Sequence, residues 1–145
     1  MKKCGWCGEA EQMVHRRRRG TAIVDTPSGI LVVSESGRRY SLPGGGARFR
    51  ESRRSAAVRE LAEETGLKAT DCSYLFDYNG RVHKDRKGGF FVDAHKVFLI
   101  KSKGVAKPRK EIKYLAYFNG SNVNVSDTTR TIIEIYHGKK SNSAR

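Results

Sequence analysis

Gly45–Leu67 reads GGARFRESRRSAAVRELAEETGL, and the way its second half winds decides the fold. Ser52 to Thr65 is helical by composition. Ser52 suits an N-cap, Ala, Glu, Leu and Arg fill the interior, and Gly66 stands where a left-handed C-cap belongs. At about 100° per residue, Glu60, Glu63 and Glu64 fall in one narrow sector, and Val58, Leu61 and Ala62 fall in an adjoining sector suited to a core. Like charges at these spacings cost roughly 0.2–0.5 kcal/mol per pair. A hard divalent cation between them removes that cost, because Mg²⁺ and Mn²⁺ select carboxylate oxygens. A solvated acidic face is the alternative, and the cluster alone leaves both open.

Upstream of this helix, Thr21–Val24, Ile30–Val33 and Arg39–Leu42 read as three strands, joined by turns at Asp25–Gly29 and Glu35–Gly37. Pro43 and Gly44–Gly46 form a loop whose backbone can approach another group closely. Downstream, residues 69–79 and 89–101 are strand-like, with a basic loop from Arg81 to Lys87 between them. Lys113–Phe118 is a further short strand, and a capped helix runs from Ser126-Asp127 to Gly138. This order gives a mixed α/β domain with helices covering a sheet. The domain spans residues 20–138, after a basic N-terminal segment (1–19) and before a polar tail (139–145).

The 145 residues carry 29 Lys and Arg against 15 acids, a formal charge of +14 that favours anionic partners. No apolar run approaches the roughly 18 residues a bilayer span needs, and MKKCGWCGEA has no apolar stretch behind its lysines to make a secretory signal. Three cysteines, an odd number, argue against a disulfide framework and for a reducing cytoplasm.

The spacing of Gly45, Glu51, Arg59, Glu60, Leu61, Glu63, Glu64, Gly66 and Leu67 resembles the signature of Nudix (MutT-type) hydrolases, G-x5-E-x7-R-E-U-x-E-E-x-G-U with U aliphatic. It is filled without gap or substitution, and a chance match at a given start is about one in a billion on average residue usage. The resemblance implies an α/β/α sandwich with a mixed sheet, and a hydrolase acting on a nucleoside diphosphate linked to a further moiety X. It implies Mg²⁺ or Mn²⁺ held by Glu60, Glu63, Glu64 and the Gly44 carbonyl. Arg59 would orient that cluster by an ion pair, Glu51 would tie the loop to the helix, and Gly45 and Gly66 complete the structural frame. The general base varies within the family, being a glutamate of the motif or an acid nearer the C-terminus. Glu111, in Pro108-Arg-Lys-Glu111-Ile112, resembles that later acid; an exposed loop glutamate is the alternative.

Substrate markers of NADH, ADP-ribose and many dinucleoside-polyphosphate members are missing. The position 16 residues beyond Leu67 is His83, followed by Lys84 and Asp85. A nucleoside triphosphate or modified nucleotide is therefore favoured, with hydrolysis at the 5′ end of RNA, or nucleic-acid binding on the same scaffold, as alternatives. Arg48, Arg81 and Lys84 are the expected substrate-binding residues. Arg53 and Arg54, with Arg48 and Arg50, are expected to make the mouth of the site positive. His95 alternates with Asp93 and Val97 on a strand face and reads as structural. Arg16–Arg19 reads as a solvated charge run or a nucleic-acid contact. Cys4-Gly-Trp-Cys7 is half of a zinc knuckle, which His15 and Cys72 would complete only if the fold joined them. Monomer and homodimer are both open.

Overall fold

The computed structural model describes residues 13–143. In chain order the elements are β1 (Val14–Ile23), β2 (Asp25–Thr26), β3 (Gly29–Ser34), β4 (Gly44–Gly46), α1 (Arg53–Thr65), β5 (Lys68–Asn79), β6 (His83–Lys84), β7 (Phe90–Lys103), β8 (Tyr114–Phe118) and α2 (Asp127–Ser143). The larger sheet has the order β4-β1-β7-β5, with β6 also paired to β7. It is mixed, since β1 and β7 run parallel while β4 on β1 and β5 on β7 run antiparallel. A smaller antiparallel sheet, β2-β3-β8, continues from it, and Leu31 N–H donates to Val24 O across the join at 3.0 Å.

Alternation along the strands divides the interior into two cores. Ala22, Val24, Leu31, Phe98 and Ile100 pack with Ala57, Leu61 and Leu67 on the α1 side. Ile23, Ile30, Val32 and Val97 pack with Ile132, Ile133 and Tyr136 on the α2 side. The sheets therefore lie between the helices, as an α/β/α sandwich. The α1 contact is tight at Gly20, where a Cβ would lie 2.0 Å from Arg53 O and 2.6 Å from Ala57 N. Any side chain at residue 20 would push the helix off the sheet. Ser52 caps α1 by accepting from Ser55 N–H at 3.0 Å. Gly66, at φ 79°, ends it with its N–H on Ala62 O.

Several boundaries differ from expectation. The first strand begins at Val14 rather than Thr21, so Arg16–Arg19 are part of the sheet, paired in register with Val92–His95. An apolar-run criterion misses this because the outer half of β1 is polar on both faces. Arg39–Leu42 is not a full strand: Tyr40 and Ser41 each make a single bridge, to Val125 and Val33. The last helix continues past Gly138 to Ser143. Its extension is held where Tyr136 Oη and Lys140 Nζ both reach Asp25 Oδ2, at 2.6 and 3.2 Å. Among the described residues no helix is long and apolar enough to cross a membrane.

Candidate active site

The polar face of α1 looks onto the edge strand β4. Ala22 N–H donates to Pro43 O and Ala47 N–H to Arg18 O, with Gly44 opposite Thr21 and Gly46 opposite Arg19. In an antiparallel pair, bonded and non-bonded positions alternate. The backbone groups of Gly44 and Gly46 thus point away from β1, toward the helix. Gly44 N–H donates to Glu64 Oε1 at 3.2 Å, and Gly46 O accepts from Arg59 Nη2 at 3.1 Å. Gly45 leaves the room these contacts require, because a Cβ there would lie 2.4 Å from Glu60 Oε2.

Arg59 gathers the acids around it. Its Nε and Nη2 donate to the two oxygens of Glu51 at 2.8 and 3.0 Å, and Nη1 donates to Glu60 at 3.1 Å and Glu63 at 3.2 Å. Bidentate geometry of this kind is specific to a guanidinium. The Arg59 hydrogen bonds, helped by Arg48 N–H, hold the Glu51 carboxyl at about 2. Arg59 itself is raised, chiefly by Glu51.

Glu64 lies in a different environment. It is largely buried, and desolvation pushes its carboxyl up to about 8 against the Gly44 hydrogen bond. Like charge from Glu60 and Glu111 adds to the rise, and Arg19 opposes it. Glu111 comes within electrostatic range because its segment closes over the end of α1: Lys107 N–H donates to Thr65 O and Arg109 N–H to Glu64 O. Its own side chain is exposed. Among the described residues, no three His, Cys, Asp or Glu groups already converge as a cage for a metal. Glu60 and Glu63 turn to Arg59, while Glu64 turns to Gly44. The donor set still fits a hard cation, with three carboxylates on one helix face and an outward Gly44 carbonyl beside them.

Glu64 and Gly44 form one end of a cleft of about 360 Å³, floored by Arg17, Arg19 and Thr21 of β1 and by Asp93 and His95 of β7. Leu42, Ile112 and Ile132 give it an apolar wall, and Ser126, Thr128 and Thr129 close the far end. Arg17 is committed: it donates to both Asp93 oxygens, at 2.7 and 3.2 Å, and lies 4.0 Å above the Phe91 ring. Thr21 Oγ1 and His95 Nδ1 share a 2.8 Å hydrogen bond. Burial, then the Arg19 charge, pushes His95 down to about 4, so it is neutral at pH 7.

The sequence reading missed this floor. Arg17, Arg19 and Thr21 alternate with Arg16, Arg18 and Gly20, and an alternation carried upstream from Thr21 would have found them. His95 was expected to be structural and lines the cleft. Arg53 and Arg54 do not make the mouth positive. They reach Ala94 O and Cys72 O on the sheet, because α1 lies flat against it at Gly20. Arg48 sits beside the acidic cluster, 3.6 Å from Glu63. Arg81 lines a neighbouring hollow, and Lys84 is exposed on β6 and lines neither. Cys4 and Cys7 lie outside the described residues. His15 and Cys72 cannot join them in one site: they pair with Phe91 and Ile100, at opposite ends of β7 and roughly 30 Å apart by strand rise.

Comparison with known proteins agrees with this geometry. A NUDIX domain model matches residues 14–123. A nudix hydrolase family member from Chromobacterium violaceum is 37% identical over 83% of this chain and 76% of its own, with a TM-score of 0.70. The E. coli ORF135 protein shares the fold at 20% identity, covering 88% of this chain and 92% of its own, with a TM-score of 0.71. So does a bifunctional NMN adenylyltransferase/ADP ribose pyrophosphatase from Francisella tularensis complexed with AMP and a Mn ion, at 20% identity, 90% and 44% coverage and a TM-score of 0.63. No curated protein matches. The domain match spans most of the chain and includes both the Arg59-centred acids and the cleft floor, so the chain belongs to the Nudix family of pyrophosphohydrolases.

Proposed function

We propose that this protein hydrolyses a phosphoanhydride bond of a nucleoside diphosphate linked to X, with a nucleoside triphosphate or modified nucleotide as substrate and Mg²⁺ or Mn²⁺ as cofactor. The observation that carries the reading is Glu64, a half-buried carboxyl at the end of a cleft whose floor is basic. Glu60, Glu63, Glu64 and the Gly44 carbonyl would hold the cation. When bound, it neutralises charge on the phosphate oxygens and lowers the pKa of water. The Mn ion in the Francisella relative's complex supports this choice of cofactor.

The chain's own groups do the positioning. Arg59 is a positioning residue: it holds Glu60 and Glu63 in place and ties them through Glu51 to the loop. Arg19 has no ion-pair partner within 4.0 Å among the described residues, and its charge acts on Glu64, Asp93 and His95. It would receive the phosphate oxygens, because an uncompensated guanidinium in a half-buried cleft gains most from an anion. Arg48, 3.6 Å from Glu63, would meet a departing phosphate. Glu64 or Glu111 would take the proton from the attacking water. The apolar wall of Leu42, Ile112 and Ile132 suits a nucleoside.

The test is phosphate and pyrophosphate release from a panel of nucleoside triphosphates, oxidised dGTP, ADP-ribose, NADH, dinucleoside polyphosphates and 5′-triphosphorylated RNA, with and without Mg²⁺. Metal-dependent release from one member, lost in Glu64→Gln, is the expected outcome. Release that survives in Glu64→Gln would remove this residue from the mechanism.

A further inference from the structure

Beyond Ser126 and Thr128 the cleft meets a second hollow, of about 440 Å³, lined on its other sides by Arg39, Tyr78, Arg81 and His83. The two hollows share Ser126 and Thr128 as a common sill. The second one has a composition unlike the first. It offers two guanidinium groups from separate loops, with no ion-pair partner within 4.0 Å among the described residues, and two flat rings, Tyr78 and His83. His83 is held in place by stacking on Phe91, with ring centroids 5.3 Å apart. Asp127 is the single acid on its wall, so the charge balance remains positive. The start of α2 contributes little to anion binding here, because the Ser126 hydroxyl already accepts from Thr129 N–H at 3.2 Å. Paired guanidinium groups recognise phosphate, and aromatic faces accept a base.

We infer that this hollow is a second phosphate subsite, for a phosphate on the side of the nucleoside away from the scissile anhydride. The inference rests on the reading above, in which the anhydride lies at Glu64. A nucleoside in the cleft would then have its ribose and base toward Ser126 and Thr128, and a phosphate beyond them would meet Arg39 and Arg81. Two sources present that chemistry: a 3′-phosphorylated mononucleotide, and the next linkage of an oligonucleotide 5′ end. The second would also place a base against Tyr78 and His83.

The test is binding without turnover, by calorimetry in EDTA, of a nucleoside 5′-triphosphate, its 3′-phosphorylated form and a 5′-triphosphorylated dinucleotide. The 3′-phosphate should tighten binding about tenfold or more, and Arg39→Gln should erase the gain while leaving affinity for the plain triphosphate unchanged. A further gain for the dinucleotide, lost in Tyr78→Ala, assigns the subsite to an oligonucleotide end. Equal gains for the two ligands assign it to the phosphate alone. Absence of any gain from the 3′-phosphate, or a gain that persists in Arg39→Gln combined with Arg81→Gln, overturns the inference. Because no catalysis is read, a chain that failed every member of the hydrolysis panel would still answer this question.

Discussion

Glu51 stands just ahead of α1 and Glu64 in its last turn, and the two have opposite electrostatic fates. Glu51 is wrapped by both arms of Arg59 and by a backbone N–H, and is held at about 2. Glu64 has one backbone N–H, burial and two like charges, and stands at about 8. One carboxylate is fully satisfied by the protein. The other is left short of positive charge at the place where β4 turns its backbone outward. A fold selected only for stability would have paired both. In the reading proposed above, the difference separates an acid that builds the site from an acid that would take the cation or a proton.

The largest effect should come from Glu64→Gln, with a fall in turnover of about 10³-fold. Folding should survive, since the amide can still accept from Gly44 and resembles the protonated carboxyl it replaces. Unchanged turnover would erase the contrast between the two acids. Next is Arg59→Met, which strands Glu51, Glu60 and Glu63 together. Three carboxylates then stand together without their shared cation, so a fall in the denaturant midpoint is expected. Arg59→Lys should recover only part of it, because an ammonium cannot reproduce the bidentate contact. Arg19→Gln should raise KM about tenfold with kcat little changed. A KM that does not move would place the phosphate elsewhere.

The sequence made one of these two acids far easier to interpret than the other. Arg59, Glu51 and the three helix glutamates stand within one local motif, and their contacts follow from helical geometry and a short loop. Residue pattern gave the α1 caps and helices covering a sheet, while the sandwich and the roles of Arg59 and Glu51 came from the family resemblance. What surrounds Glu64 comes from far along the chain, and pairing register assembles it. Arg19 reaches the cleft because β1 starts at Val14 and runs parallel to β7, opposite His95. A run of four arginines has no apolar period to mark it as a strand, so the alternation that singles out Arg17 and Arg19 applies only once the strand is known to start upstream of Thr21. Arg53 and Arg54 show the converse error: residues near the motif in sequence face the sheet through the close contact at Gly20.

The contrast also predicts opposite slopes in acid stability for the metal-free chain. Glu64 has a folded value raised above the 4.5 of an unfolded glutamate, so its contribution is fully present below pH 4.5 and is lost as pH rises through about 8. Glu51 has a folded value depressed to about 2, so its contribution is present above 4.5 and is lost as pH falls toward 2. Thermal midpoints from pH 8 to pH 3 should therefore lose their rise toward pH 4.5 in Glu64→Gln, and their fall below it in Glu51→Gln. The same slope in both variants would mean that the two acids share one environment.

The smallest effect belongs to His95, whose folded value of about 4 lies below the 6.5 of a free imidazole. A depressed histidine contributes stability above pH 6.5 and loses it as pH falls, because the unfolded chain takes up the proton first. The loss should be about 1–2 kcal/mol by pH 5, and His95→Gln, which can still bond Thr21, should flatten it. This decline overlaps the acid-side gain from Glu64, so the wild-type profile is the sum of two opposed slopes. Only the Glu64→Gln, His95→Gln double variant should be level between pH 8 and 4.5. A residual slope there would reveal a third titrating group, and it would not be Asp93, which Arg17 holds below its ordinary value and which therefore acts only at the acid end of the profile.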